Sequence, residues 1–283
     1  MIQRLEHFNE LVMFKHSIFS LPFIFIAMIV SAEGWFGFEL FAFGLLAAIT
    51  ARNFAMGLNR YADREFDAAN PRTENRPSVD GRLDGSSILI FTLVNAFSFV
   101  VVAYLINDLA FYLSVPMLFV LGSYSYFKRF SAWAHIILGI SLGLAPIAGS
   151  IAVEATVPLW TLFLSVGVMF WVAGFDLLYS LQDIEFDKKR GLHSIPSKYG
   201  AKKTLLISSV FHVLTITFWA LFVWSAGLGL FAWIAVLVSI VMLSYEHYLV
   251  RLDFSKIDRA FFTINGYLGI VFLLFIIADV MFP

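Results

Sequence analysis

An acidic pattern occurs twice in this chain, each time just after a long apolar stretch. The copies read Asn59-Arg-Tyr-Ala-Asp63-Arg-Glu-Phe-Asp67 and Tyr179-Ser-Leu-Gln-Asp183-Ile-Glu-Phe-Asp187. Side chains four residues apart lie on one face of a helix, so each copy aligns two carboxylates. Carboxylates at a membrane boundary are costly unless a partner neutralises them. Two facing pairs suit divalent cations that hold a diphosphate, so the pattern predicts chemistry on a lipid-borne phosphorylated substrate.

Basic side chains that could complete such a site lie nearby in the sequence. They are Lys128 and Arg129, after a later apolar run, Arg64, inside the first motif, and Arg72 and Arg76, after it. Arg52 lies seven residues before Asn59 on the same helical face, where it either binds a substrate carboxylate or pairs with an acid. His193, beside the second motif, is either a proton acceptor or diphosphate contact, or a plain loop histidine.

The composition places these motifs in an integral membrane protein. Of 283 residues, 60% are hydrophobic and 14% are charged, and the mean hydropathy is +0.84, far from the balance of soluble proteins. The chain has no cysteine, which excludes disulfides, thiolate catalysis and cysteine-based metal sites. The net charge of −1 is less informative than where the charges lie.

Apolar runs long enough to cross a bilayer predict an all-helical fold with nine transmembrane helices. They cover approximately residues 17–33, 38–59, 88–107, 110–127, 133–153, 158–181, 204–224, 228–250 and 261–282. We expect one domain over residues 1–283. Residues 1–16 put Leu5, Phe8, Leu11 and Val12 on one side, which predicts a short interfacial helix.

The positions of lysine and arginine predict the orientation of this arrangement. Eighteen of the 19 basic residues fall on one side of the nine helices, and the exception is Arg52. The opposite loops hold acids such as Glu33, Asp108 and Glu154. By the positive-inside rule, the N-terminus and segments 60–87 and 182–203, which carry the motifs, face the cytoplasm, and the C-terminus lies on the opposite side.

The motifs resemble those of the UbiA superfamily of intramembrane aromatic prenyltransferases. The first motif, continued by Arg72-Thr-Glu-Asn-Arg76-Pro77, is similar to the family's first Asp-rich motif. The second motif is similar to the family's second motif in the spacing of Asp176, Tyr179, Asp183 and Asp187, and in the continuation Gly191-Leu-His-Ser-Ile-Pro-Ser-Lys-Tyr-Gly200. The stretch after the fourth helix that resembles the family is Tyr126-Phe-Lys128-Arg129. Two departures are Arg60, where many members have Asp, and a second motif with fewer aspartates than in some members. Neither removes an expected metal ligand.

The resemblance implies a bundle around a central cavity that opens to the lipid, with Mg²⁺ as cofactor and a bacterial inner membrane as the location. The partners it implies are a polyprenyl diphosphate, an aromatic acid acceptor and membrane lipid, with no nucleic acid. The implied metal ligands are Asn59, Asp63, Asp67, Asp183 and Asp187. The four aspartates and Tyr179 form the implied catalytic set. The substrate-binding residues that we expect are Asn59, Arg64, Arg72, Arg76, Lys128 and Asp176, together with Arg52 and His193 from their positions beside the motifs.

Two acceptors remain open within this reading. The Ala-Asp-Arg-x-Phe-Asp and Arg-Thr-x-Asn-Arg-Pro stretches favour 4-hydroxybenzoate and ubiquinone biosynthesis. The Gln-Asp-x-Glu-Phe-Asp and Gly-Leu-His-Ser-Ile-Pro stretches resemble members of the futalosine route to menaquinone, whose acceptor is a naphthoate-type ring.

Two other classes of protein are less consistent with the sequence. An ion-coupled transporter would distribute its acids along a path through the bilayer, whereas both motifs fall at one rim. A CDP-alcohol phosphotransferase would need an Asp-Gly-x-x-Ala-Arg signature, which the chain lacks.

Overall fold

The computed structural model describes residues 2–13, 19 and 21–282, and every regular element in those residues is helical. In chain order the α-helices are α1 (Ile2–Leu11), α2 (Leu21–Ser31), α3 (Phe38–Ala62), α4 (Arg64–Ala68), α5 (Gly85–Ile106), α6 (Asp108–Phe127), α7 (Ala134–Glu154), α8 (Leu159–Tyr179), α9 (Ile184–Arg190), α10 (Ile195–Ser225), α11 (Leu230–Leu252), α12 (Ile257–Arg259) and α13 (Asn265–Met281). A 3₁₀ turn (Ser180–Asp183) joins α8 to α9, and a π-helical turn (Ala260–Ile264) precedes α13.

The predicted all-helical membrane fold is confirmed. Within the described residues, eight helical stretches are long and apolar enough to cross a membrane. They begin at α3, α5, α6, α7, α8, α10, α11 and near α13. The remaining predicted span, residues 17–33, corresponds to α2, a shorter apolar helix of 11 residues. Residues 17, 18 and 20 of that span lie outside the described residues.

Polar side chains set several helix ends. Asn107 ends α5 and caps α6, because its side-chain oxygen accepts from the Ala110 N–H at 2.8 Å. Asp84 accepts from the Ser87 N–H at 2.7 Å and starts α5. Ser194 forms a capping box with Ser197 at the start of α10. Such caps satisfy backbone donors that a helix leaves unpaired at its first turn.

Helix α8 lies at the centre of the bundle between α7 and α10. Glycines allow these helices to approach closely, as small residues do between membrane helices. Gly139 and Gly143 of α7 lie against the backbone of α8 at Met169 and Ser165, so that a β-carbon on Gly143 would come within 2.9 Å of the Ser165 carbonyl oxygen. The position of α8 relative to α7 is therefore fixed by backbone contact.

Four segments rich in basic residues meet at one end of the bundle. They are residues 60–87, 128–129, 182–203 and 251–259. Arg129 donates to the Ala62 carbonyl at 2.8 Å, and the His193 N–H donates to the Lys128 carbonyl at 2.8 Å. Gln182 donates to Asp258 at 3.1 Å. Segment 60–87 contains α4, and segment 182–203 contains α9 and the first turns of α10. The connections that carry the motifs are thus partly helical and packed together.

The predicted N-terminal helix is present as α1, and residues 14–16 of its predicted range lie outside the described residues. Phe8 and Leu11 pack against Leu83 and Ile88, and the rings of Phe8 and Phe91 stack at 4.6 Å. The apolar side of α1 therefore packs against the start of α5. An interfacial position of α1 stays a prediction.

Candidate active site

Both motifs place their first aspartate at a bend between two helices. Asp63 joins α3 to α4 with φ −93° and ψ 8°, and Asp183 joins the 3₁₀ turn to α9 with φ −100° and ψ 4°. This region of backbone space is sparsely populated and is common at active sites. The second aspartates, Asp67 and Asp187, follow in the short helices α4 and α9. The two motifs therefore share a local backbone geometry as well as a spacing.

A polar cavity of about 280 Å³ lies between the two motifs. Five carboxylates line it: Asp63, Asp67, Asp176, Asp183 and Asp187. Five basic side chains also line it: Arg60, Arg72, Arg76, Lys128 and Arg129. With each group in its usual charged form, the walls carry equal numbers of positive and negative charges. The equal numbers of charges limit the net charge that lies at the rim of the apolar bundle.

The first motif is held by hydrogen bonds within its own half of the cavity. Asn59 donates to Asp63 at 2.8 Å and to Ser125 at 3.3 Å, while its own oxygen accepts from Arg60 at 2.9 Å. Burial of the carboxyl, followed by the negative charge of Asp67, raises the pKa of Asp63 above its ordinary value. Nearby cations oppose this rise, the closest ion pair being Arg129 to Asp63 at 3.6 Å.

The segment after the first motif crosses to the second. Arg72 binds Asp183 through two nitrogens, at 3.1 and 2.7 Å, and donates to the Tyr179 hydroxyl at 2.9 Å. Asn70 donates to Asp183 at 3.3 Å. Arg76 turns back and pairs with Asp67 at 2.7 Å. Residues 70–76 therefore connect the two acidic motifs through arginine–carboxylate pairs.

Lys128 differs from the four arginines that line the polar cavity. Each of those arginines lies within 4.0 Å of an aspartate. In the described part of the chain, the Lys128 ammonium has no carboxylate within that distance. It is thus a cation that a diphosphate oxygen can approach without first breaking an ion pair.

The second aspartate of the second motif is tied to the start of α10. Asp187 is 1% exposed, and Ser194 donates to its Oδ2 at 2.7 Å. The same Ser194 hydroxyl caps α10. The position of Asp187 is therefore coupled to the position at which α10 begins.

An apolar cavity of about 250 Å³ adjoins the polar one. Its walls come mainly from α2, α3, α5, α6 and α7, with small residues on α3 and α7 leaving the space. Five residues line both cavities: Met56, Tyr124, Leu138, Asp176 and Phe261. The protein therefore has a charged compartment at one end of the bundle and an apolar compartment in its interior that share a wall.

Arg52 lines the apolar cavity. Its guanidinium donates to the Met13 and Val12 carbonyls at 3.2 and 3.4 Å, and its Nε is buried without a hydrogen-bond partner in the described residues. A buried guanidinium nitrogen without a partner favours an acceptor from a ligand.

The donor set of the polar cavity fits Mg²⁺. Asp67 Oδ2 is buried and accepts no hydrogen bond in the described structure, although Arg60 is 3.9 Å away. Within the described residues, no three acidic or histidine side chains are close enough to hold a metal ion by themselves. Mg²⁺ typically takes one or two carboxylates and completes its shell with water and substrate phosphate oxygens. The arrangement therefore suits a cation that shares its ligands with a diphosphate.

The structure brings most of the sequence-predicted residues to the polar cavity. They are Asn59, Asp63, Asp67, Arg72, Arg76, Lys128, Asp176, Tyr179, Asp183 and Asp187. Arg52 faces the apolar cavity. Two others lie outside both linings: the Arg64 guanidinium lies against Gly85, and His193 is exposed beside the Lys128 carbonyl.

Sequence reasoning did not identify several residues of the site. These are Arg60, Asn70, Tyr124, Ser125, His135, Ser194 and Phe261. Tyr124 lies one helical turn before Lys128, so the i, i+4 spacing was an available signal. For Asn70, the adjoining Pro71 indicated only a turn, and its reach to Asp183 depends on the tertiary fold.

The fold and this pair of cavities define a membrane-embedded helical bundle with a charged cavity at one end and an apolar cavity beside it. Residues 20–276 match the family model described as UbiA prenyltransferase family. The chain therefore belongs to the UbiA prenyltransferase family, as its motifs predicted.

Relatives of known name share about the same length. The chain is 29% identical over 245 residues to a 4-hydroxybenzoate octaprenyltransferase of Herminiimonas arsenicoxydans, covering 86% of this chain and 85% of that protein. It is 30% identical over 217 residues to a protein of the same name from Tolumonas auensis, covering 74% and 75%.

Solved structures share the fold. The UbiA homologue from Aeropyrum pernix K1 superimposes with a TM-score of 0.85 at 29% identity, over 93% of this chain and 98% of that one. A UbiA homologue from Archaeoglobus fulgidus, bound to DMAPP and Mg²⁺, gives a TM-score of 0.79 at 18% identity, over 98% and 99%.

Proposed function

We propose that this protein transfers a polyprenyl group from an allylic diphosphate to an aromatic acid, with 4-hydroxybenzoate as the leading acceptor. The observation that carries the proposal is the shared wall between the charged and apolar cavities. Such a pair of compartments matches a substrate with a diphosphate head and a hydrocarbon tail. The names of the relatives support the acceptor, and the Archaeoglobus structure, with DMAPP and Mg²⁺, supports the donor and the metal.

The charged cavity holds the diphosphate. Asp63, Asp67, Asp183 and Asp187, with Asn59, would hold Mg²⁺, which when bound supplies Lewis-acid neutralisation of the leaving diphosphate. Lys128 donates to diphosphate oxygens without giving up an ion pair. Arg72 and Arg76, already aligned at the rim, exchange part of their carboxylate contacts for phosphate oxygens, for which their planar donors are suited.

The apolar cavity takes the hydrocarbon. Burial of isoprene methyl and methylene groups against its walls is favourable by roughly 25 cal/mol per Å². The apolar walls also exclude water from the allylic carbon, which would otherwise be hydrolysed when the carbon–oxygen bond to diphosphate breaks. Tyr179, held by Arg72 at the edge of the charged cavity, orients the reacting groups.

The aromatic acceptor lies between Arg52 and Asp176 in this proposal. Arg52 binds the carboxylate, since its Nε lacks a partner in the described residues. Asp176 faces the boundary where the allylic carbon lies. The carbon–oxygen bond to diphosphate breaks with its electron pair on the diphosphate, and the ring carbon beside the hydroxyl forms a bond to the allylic carbon. The ring proton then passes to the released diphosphate, which restores aromaticity.

The reaction is tested with membranes that contain the protein, a labelled allylic diphosphate, and either 4-hydroxybenzoate or 1,4-dihydroxy-6-naphthoate. We expect a prenylated product with Mg²⁺ and none with EDTA, because the protein alone does not supply enough charge to neutralise the leaving diphosphate. The acceptor that is consumed distinguishes the ubiquinone route from the futalosine route to menaquinone. No product with either acid, across several chain lengths, would contradict the proposal.

Replacement of Arg52 tests the acceptor site. We expect Arg52→Leu to raise the acceptor KM by about 10- to 100-fold, the effect of losing a charged hydrogen bond. The KM for the prenyl diphosphate should not change. An acceptor analogue with an amide in place of the carboxylate should react equally with both proteins. An equal rise in both KM values would instead assign Arg52 a structural role in holding the Val12 and Met13 carbonyls that follow α1.

We further propose that the charged cavity faces the cytoplasm, with the N-terminus on that side and the C-terminus opposite, in a bacterial inner membrane. The basic segments that meet at this end of the bundle support the orientation.

A further inference from the structure

Asp176 is a carboxylate of the charged cavity for which the structure shows a buried histidine as partner. It lies on α8, seven residues before Asp183, and lines both cavities. Among the described residues, its hydrogen-bond partner is His135, whose Nδ1 lies 2.6 Å from Asp176 Oδ2. No arginine or lysine of that part of the chain pairs with it. Asp176 thus depends on His135 for its orientation.

His135 contacts Asp176 from outside the two cavities. It lies in the first turn of α7, is 1% exposed, and does not line either cavity. Its Nε2 is buried without a hydrogen-bond partner in the described structure. Because a carboxylate only accepts hydrogen bonds, the Nδ1 that faces Asp176 is the protonated nitrogen.

The helix contact that sets this pair is unusually close. His135, Gly139 and Gly143 follow one another at four-residue intervals and therefore lie on one face of α7. The two glycines contact the α8 backbone at Met169 and Ser165, which precede Asp176 in that helix. Without side chains between the helices, α7 cannot slide along α8 unless this backbone contact is broken. His135 is thereby held at a fixed height opposite Asp176.

We propose that His135 is a positioning residue for the acceptor: it holds Asp176 Oδ2 so that Oδ1 accepts a hydrogen bond from the acceptor hydroxyl. This inference rests on the proposed function and extends it to a residue that touches neither substrate. His135 contacts one oxygen of the carboxylate, Oδ2, and Asp176 lines both cavities. Fixing Oδ2 sets the direction of Oδ1, as outer partners do for metal-binding histidines.

The test compares His135→Leu, which removes the donor, with His135→Asn, which retains an N–H near the position of Nδ1. In His135→Leu, we expect acceptor kcat/KM to fall by about 10- to 100-fold, the range for loss of an orienting partner. The KM for prenyl diphosphate should remain unchanged. His135→Asn should recover most of the acceptor kcat/KM. Asp176→Asn added to His135→Leu should cost little more than either change alone, because both remove one hydrogen-bonded unit.

His212→Leu is the matched control, since His212 is also a buried histidine but lines neither cavity. We expect it to lower thermal stability without a selective effect on the acceptor KM. The inference is overturned if His135→Leu leaves the acceptor kcat/KM intact, if it raises both KM values equally, or if His135→Asn gives no recovery. Absence of product from the wild-type protein would refute the proposed function, and this inference with it. Wild-type turnover with an unaffected His135→Leu variant would refute the role of His135 alone.

Discussion

Asp63→Asn and Asp183→Asn should each abolish prenyl transfer while leaving the protein folded in the membrane. Each change keeps the size of the side chain but removes a negative charge at the bend that begins the second half of its motif. Asp63→Asn removes the negative charge beside Asp67, and Asp183→Asn removes the carboxylate charge that Arg72 and Asn70 contact. We expect the loss in kcat to reach at least about 1,000-fold, because electrostatic stabilisation of the leaving group is lost.

The matched controls are Glu65→Gln and Glu185→Gln. Each removes one negative charge from the same motif, but both side chains are exposed and neither lines the polar cavity. We expect near-normal activity in these controls. Rates are measured at saturating Mg²⁺ with labelled donor, and folding is checked by size-exclusion chromatography in detergent. Near-normal rates in both Asp63→Asn and Asp183→Asn would contradict the placement of the diphosphate between the two motifs.

Lys128→Met is expected to have the next largest effect. Lys128 is the basic residue of the polar cavity without an ion pair among the described residues, so no carboxylate within 4.0 Å competes with a bound diphosphate for its charge. The arginines of this cavity share their charge with aspartates, and none can fully replace it. We expect kcat/KM for the prenyl diphosphate to fall by about 100-fold, which corresponds to about 2.7 kcal/mol for a charged hydrogen bond.

Lys198→Met serves as the control, because Lys198 is exposed near the start of α10, outside the cavity lining. It should leave kcat/KM unchanged. The acceptor KM should stay constant in both variants when the donor is saturating. If Lys128→Met instead raised the acceptor KM and left the donor KM alone, Lys128 would belong to the acceptor site.

The fold was largely predictable because membrane insertion leaves a strong local signal. Runs of apolar residues located most of the long helices within a few residues, although α10 begins at Ile195 and not at the predicted residue 204. The two Asp-x-x-x-Asp motifs located the charged end of the bundle. The bends at Asp63 and Asp183 were not predictable from spacing. Both copies fit a continuous helix equally well, and only the packed segments around them show the break.

The partners of the charged residues were the least predictable part of the site. Arg64 lies inside the first motif and Arg76 lies shortly after it. Of the two, only Arg76 turns into the cavity, because Arg64 lies beside Gly85 at the start of α5. Arg72 crosses to the opposite motif, a contact between residues 111 positions apart. The pairing of His135 with Asp176 likewise depends on the register of α7 against α8. No local pattern encodes such distances.

The position of the polar cavity at one end of the bundle has a consequence for the energised membrane. In the proposed reaction, a diphosphate that enters and leaves at this one end moves no net charge from one side of the bilayer to the other. The transmembrane voltage acts only on charge that is displaced across it, at about 2.3 kcal/mol per elementary charge per 100 mV. Prenyl transfer by this chain should therefore proceed at the same rate in depolarised and polarised vesicles, so that a cell could continue this step after its proton-motive force has collapsed.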